Sequence, residues 1–248
     1  MRIYTLEEVF ALYRRRDLDP TFLGSPVAPT TEAQLLIQYL NYRAEFLQRQ
    51  IRPLLMDREE AQREFDALYS RLPGAQSHLP MNKQKGEKAH NAYLTGIVNL
   101  LTEETLGGVR FADNPAGPVT ITQGRRPART LSRWMDGAYP GLNNPAACWE
   151  IKEYYGTTTF GSRVADGIYE TIMDGLEIAE LREHVGHNLR HYLIVDDRFT
   201  WWDMGRSYLC RIVDMLHMGL VDEALFGREV LTRWPQIVKS WPRAGDRE

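Results

Sequence analysis

The sequence predicts a mixed α/β (α+β) chain, a central sheet of mixed strand direction flanked by helices, with a helical N-terminal layer. Three observations carry this expectation. Over the first hundred residues apolar side chains recur at three- and four-residue spacing, the period of an amphipathic helix. From Val109 onward the texture changes to short β-prone runs separated by Asn114-Pro115 and Gly117-Pro118 turns. Beyond Thr130 two apolar runs are followed by helix, strand and helix patterns in that order.

Composition limits the function classes. A chain of 248 residues, 43% hydrophobic and 25% charged, can bury one sizeable core or two small ones. Its formal charge of −3 argues against an evenly basic nucleic-acid coat protein and leaves room for a locally basic cleft. Cys148 and Cys210 lie far apart in apolar surroundings, which excludes a disulfide framework or a cysteine zinc site and points to a reducing cytoplasm. No apolar run approaches the ~20 residues that span a bilayer, and the N-terminus lacks the apolar core of a signal peptide, so no membrane partner is expected.

Taken in order, Thr5 and Glu8 read as a capping box that opens a short helix through Tyr13. Thr31 with Gln34 repeats the signal for a helix running toward Pro53, and Asp57 with Glu60 opens a third that ends near Leu72-Pro73-Gly74. These helices form a region, residues 1–80, expected to pack on an α/β core at residues 81–248. A fourth helix is expected from about Glu87 to Leu106, stopped by Gly107-Gly108. Val109–Phe111 and Val119–Thr122 read as short strands, Thr130–Asp136 and Ala146–Tyr155 as a longer antiparallel pair. A helix from about Ser162, a strand at Tyr192–Val195, a helix from about Asp203, and a small strand and short helix between Val221 and Trp241 complete the chain.

The chemistry concentrates in the antiparallel pair. Asp136 closes one run, and Glu150-Ile151-Lys152 lies inside the next, the two acids fourteen positions apart. Strand side chains alternate faces, so Glu150 and Lys152 share one face while Ile151 enters the core. Magnesium takes oxygen ligands, commonly one or two protein carboxylates with water and substrate completing the set. Asp136, Glu150 and the backbone carbonyl of Ile151 can supply such ligands, and an ammonium beside them can orient or deprotonate water and stabilise a pentavalent phosphate. Alternatively, Glu150 and Lys152 form an ordinary same-face charge pair. The apolar flanks Cys148, Trp149, Ile151 and Tyr154 argue against that, because an unpaired charge there would be costly to bury.

The order helix, strand, Asp136-Gly137, Glu150-Ile151-Lys152, helix, strand, helix resembles the PD-(D/E)xK nuclease superfamily, over about residues 87–216. Met135 stands where that name has proline. The resemblance implies a restriction-endonuclease-like fold and a Mg2+-dependent endonuclease (Mn2+ substituting) that hydrolyses DNA in prokaryotic restriction or anti-phage defence. It makes Asp136 and Glu150 metal ligands and Lys152 the catalytic lysine. Many members add a helical glutamate, for which Glu87 is the candidate, with Glu103 or Glu104 as substitutes. The implied partners are DNA and a second copy of the chain or a defence-complex component. The reading from another class is a non-catalytic nucleic-acid-binding or assembly protein that retains the fold.

Phosphate contacts would fall to Lys83, Lys85 and Lys88, and to Arg125, Arg126, Arg129 and Arg133 leading toward Asp136. Thr157, Thr158, Thr159, Ser162 and Arg163 could cap a helix or accept a phosphate. Each basic residue has solvated surface charge as its simpler reading. His184, His187 and His191 have metal-like spacing, but Gly186 interrupts the helix and no further ligands complete a set. Trp201-Trp202 could stack bases; packing of the sheet against the last helices is the simpler assignment.

Overall fold

A computed structural model describes residues 2–81, 90–155 and 162–242. The chain divides into two compact units, residues 1–53 and 54–248. In the first, α1 (Leu6–Arg15) opens on the capping box of Thr5 and Glu8, as the sequence predicts. Helix α2 (Thr31–Phe46) is capped by Thr30, whose hydroxyl accepts from the Ala33 N–H at 3.2 Å, one residue before the expected cap. Val9, Phe10, Leu23 and Ala33 form this unit's core.

The second unit holds α3 (Arg58–Arg71), α4 (Tyr93–Leu106), an antiparallel hairpin β1 (Thr120–Gln123) and β2 (Arg126–Thr130), then β3 (Gly137–Tyr139), β4 (Ala147–Glu153), α5 (Ser162–Val185), β5 (Arg190–Asp196), α6 (Arg206–His217), β6 (Glu223–Phe226) and α7 (Val230–Lys239). The central sheet has the order β3-β4-β5-β6, with β3 antiparallel to β4 and the other two pairs parallel. Asp57 and Glu60 cap α3 reciprocally. That helix, grouped by the sequence with residues 1–80, packs on α4 in the same unit as the sheet.

Alternation along β4 decides which helices cover which face. Trp149 and Ile151 enter a core with Leu94, Ile97 and Leu101 of α4 and Trp234, Ile237 and Trp241 at the C-terminal end. Cys148 faces the other way, onto Ile178 and Leu181 of α5, and α6 packs against α5. Trp201 and Trp202 are buried, so they pack and do not stack bases. The architecture is therefore the expected mixed α/β arrangement. Among the described residues no helix is long and apolar enough to cross a membrane.

Two predicted strands do not form. Residues 109–111 run without a partner ladder, and only Ala112 bridges to Ala138. Residues 131–136 are not a strand either: Leu131 and Met135 are both buried at four-residue spacing, and the Ser132 N–H is taken by the Glu177 carboxylate at 3.0 Å instead of a neighbouring strand. The predicted fourth helix starts at Tyr93; its expected first residues fall in 82–89, outside the described residues.

Candidate active site

Asp136 is delivered to the sheet although its segment is irregular. Its N–H donates to the Trp149 carbonyl at 3.0 Å, and its Oδ2 accepts from the Ile151 N–H at 2.7 Å. One strand residue directs its N–H and C=O to the same edge, so the Ile151 carbonyl faces the Asp136 side. The Lys152 carbonyl faces the opposite edge, where the Trp201 indole N–H lies 3.4 Å away.

Glu150 and Lys152 share a face, as parity requires. The Lys152 ammonium lies 2.6 Å from Glu150 Oε2 and 3.3 Å from Glu170 Oε2 of α5. Arg133, from the irregular segment before β3, reaches the same cluster: it stands 3.0 Å from Glu170, 2.8 Å from Asp174 and 3.7 Å from Glu150 Oε1. Glu150 is 2% exposed, and its Oε1 is buried without a hydrogen-bond donor. Among the described residues Asp136, Glu150, Glu170 and Asp174 are thus balanced by Arg133 and Lys152 alone.

Burial and, after it, that imbalance set the titration behaviour. Asp136 opens to solvent on one side, but protein packs around its carboxyl on the others. This lost hydration, and then the charge of Glu150, raise its pKa to about 6 against the opposing Ile151 N–H, Lys152 and Arg133. Burial and Glu150 likewise raise Asp174 to about 7. Burial works against the Lys152 ammonium, but the attraction of Glu150, assisted by Asp136 and Glu170, outweighs it and holds its pKa above the usual lysine value.

Two clefts border the cluster. One of about 750 Å³ is lined by Asp136, Glu153, Thr95, His78 and Trp134 among others. The second, about 340 Å³, is lined by Ile151, Lys152, Arg163 and Glu170. Glu153 lines both, and its Oε2 accepts from the N-terminal amides of α4, Leu94 at 2.7 Å and Thr95 at 3.2 Å. Burial is the main cause that lifts Glu153 to about 8, with the nearby charges of Asp136 and Asp196 in the same direction.

A divalent cation fits this donor set. Asp136 and Glu150 repel one another, and Glu150 Oε1 is an orphaned buried acceptor that a cation would satisfy. Among the described residues no three His, Cys, Asp or Glu side chains are gathered to hold a metal. The cation would therefore rest on two carboxylates and the Ile151 carbonyl, which is within magnesium's habit of keeping several waters.

Glu87, Lys83, Lys85, Lys88, Thr157, Thr158 and Thr159 lie outside the described residues. Glu103 accepts from the Gln76 and Ser77 amides and Glu104 pairs with Arg71, so neither serves as the helical acid of the site. Arg125 and Arg126 are exposed on the β1–β2 hairpin, and Arg129 pairs with Glu180 of α5 at 2.8 Å. Arg163 is exposed and lines the smaller cleft with Lys152. His187 and His191 turn to separate carbonyls, Pro145 at 2.7 Å and Leu220 at 2.9 Å, and hold no shared metal. Sequence reasoning missed Glu153, Glu170 and Asp174; only the one-turn spacing of the last two on a helix hinted that they share a face.

A protein-family model described as a domain of unknown function, DUF7687, matches residues 56–241. Neither the curated proteins nor the solved structures contain a match to the chain.

Proposed function

The chain belongs to the DUF7687 family, whose matched span holds all of Asp136, Glu150 and Lys152, and we propose that this span is a Mg2+-dependent endonuclease domain that hydrolyses DNA phosphodiester bonds. The observation that carries the reading is the joining of Asp136 to β4: its carboxylate is tied to the Ile151 amide, beside the Glu150–Lys152 pair on adjacent positions of the same strand. The order of α4, β3, β4, α5, β5 and α6 supports the resemblance to PD-(D/E)xK nucleases. A role in prokaryotic restriction or anti-phage defence follows from the resemblance alone, and a cytoplasmic location from the cysteine usage.

Asp136, Glu150 and the Ile151 carbonyl would hold magnesium, or manganese in its place. Such an ion supplies charge neutralisation at phosphate and makes water more acidic. Lys152, kept as an ammonium by Glu150, contributes positive charge to the pentavalent phosphate and orients water; it is not a base in this state. Arg133 fixes the outer side of the cluster through Asp174 and Glu170. Arg163, on the wall of the smaller cleft, would meet a phosphate of the strand.

The test is incubation of the purified protein with plasmid DNA in Mg2+, in Mn2+ and in EDTA. Cleavage should require the metal and fall at least ~100-fold in Asp136→Ala and in Lys152→Ala. Undiminished cleavage by both variants would sink the site. A second reading, a non-catalytic nucleic-acid-binding or assembly protein with a nuclease fold, draws on the closed ion-pair network: Lys152 and Arg133 each already bridge two or more carboxylates. Failure to cut under every metal and partner tried would favour it.

A further inference from the structure

Five of the six tryptophans are at most 6% exposed, whereas Trp134 is 58% exposed. An indole has a large apolar area and is seldom left in water without a use. Trp134 stands two residues before Asp136 on the wall of the 750 Å³ cleft, together with Met81, also exposed. Three acidic residues, Asp113, Asp136 and Glu153, join apolar and neutral ones on the wall, and His78 is the only basic side chain among the described residues there.

This combination selects its occupant. Among the described residues the wall carries carboxyl groups and no Lys or Arg, so away from its Asp136 edge the cleft favours a base over the sugar-phosphate backbone. A flat ring bearing N–H donors fits it: its face stacks on the indole and its amino edge donates to carboxyl oxygens of Asp113 and Glu153, the pairing used when acidic side chains read cytosine. The volume exceeds that of one nucleobase several-fold, so a base enters with room for its sugar. A base held inside a duplex presents neither face, which requires an unpaired or extruded one.

We propose that Trp134 and the acidic cleft beside Asp136 form a stacking site for an unpaired, amino-bearing nucleobase of a DNA strand. The choice of ligand rests on the nuclease reading. The site would place that base on the α4 side of β4, next to Asp136, while the smaller cleft with Lys152 and Arg163 takes the phosphate side of the strand.

Binding of fluorescein-labelled DNA by the full chain, with calcium in place of magnesium, tests this. The strands are a single-stranded oligocytidine, the same sequence as a duplex, and a chain of abasic sites of equal length. The single strand should bind tightest, Trp134→Ala should weaken it about tenfold, and Trp134→Phe should recover most of the affinity. Trp134→Ala should leave the weak binding of the abasic chain unchanged. Because the ring is exposed, the unfolding midpoints of both variants should match that of the wild type. Equal binding of the oligocytidine by wild type and Trp134→Ala, an equal loss on the abasic chain, or no binding by the wild type would overturn the proposal. If plasmid is cut while no strand senses Trp134, stacking fails and catalysis stands. If binding depends on Trp134 while nothing is cut under any metal, catalysis fails and the base site stands.

Discussion

Glu153 lies at the crossing of the site's two clefts, and its carboxyl is held near pH 8 while an ordinary glutamic acid titrates near 4.5. Below pH 4.5 both the native and the unfolded chain hold this proton, and the group does not affect stability. Between 4.5 and about 8 only the native chain holds it, so stability falls as pH rises, and above 8 the loss is complete. Glu153→Gln removes the titration and keeps an acceptor for the Leu94 and Thr95 amides. Denaturant unfolding at pH 5 and pH 9 should show the wild type losing more stability than the variant across the interval; parallel losses would refute the assignment. Asp136, Asp174 and Asp196 shift in the same direction, so the difference between the two proteins isolates Glu153. At this scale the sequence made part of the site legible. Strand parity alone places Glu150 with Lys152 and Ile151 in the core. Arg133 was named for phosphate and not for its ion pairs, and Glu153, Glu170 and Asp174 were not legible, because their partners come from other elements, 41 residues apart in the case of Arg133 and Asp174.

Between elements, two close approaches at the site fall on glycines, with different consequences. A Cβ on Gly137 would lie 2.0 Å from the Trp149 ring, at the point where β3 pairs with β4. The ring is locked between Trp234 and Trp241, so it cannot yield, and Gly137→Ala should lose about 1–3 kcal/mol or more by denaturant unfolding. A Cβ on Gly167 of α5 would meet only the Tyr154 hydroxyl at 2.9 Å and the Lys152 stem at 3.4 Å. Those are ends of side chains that can shift, so Gly167→Ala should fold nearly as well as the wild type while reducing cleavage through a displaced Lys152. A stable variant with full cleavage would show that the Lys152 position is not critical. The capping boxes of α1 and α3 were readable because a cap is satisfied within four residues. The false strand at 131–136 was not, since its β-like composition is overridden by Glu177 capturing Ser132 from a helix 45 residues away.

For the molecule as a whole, the position of the boundary between units decides which fragment can fold. The sequence places the α/β core at residues 81–248, where a loop follows Leu72-Pro73-Gly74. The structure joins residues 54–80 to that core through bonds no local pattern reveals. The Met56 N–H donates to Asp196 at 2.8 Å across 140 residues, and the Leu54 carbonyl accepts from Arg228 at 2.9 Å. Met56, Phe65 and Leu68 are 0%, 2% and 6% exposed within the main hydrophobic core, and the family model begins at residue 56. A fragment of residues 54–248 should therefore unfold in one cooperative transition. A fragment of residues 81–248 should not, because it loses those side chains from the core and the Met56 amide from the buried Asp196, a defect of the kind that removes several kcal/mol. Circular dichroism during denaturant titration of the two fragments distinguishes the boundaries. Cooperative unfolding of the shorter one would mean that α3 is an accessory layer, as its sequence alone suggests. Its failure beside a folded longer fragment would make α3 a part of the core that carries the site.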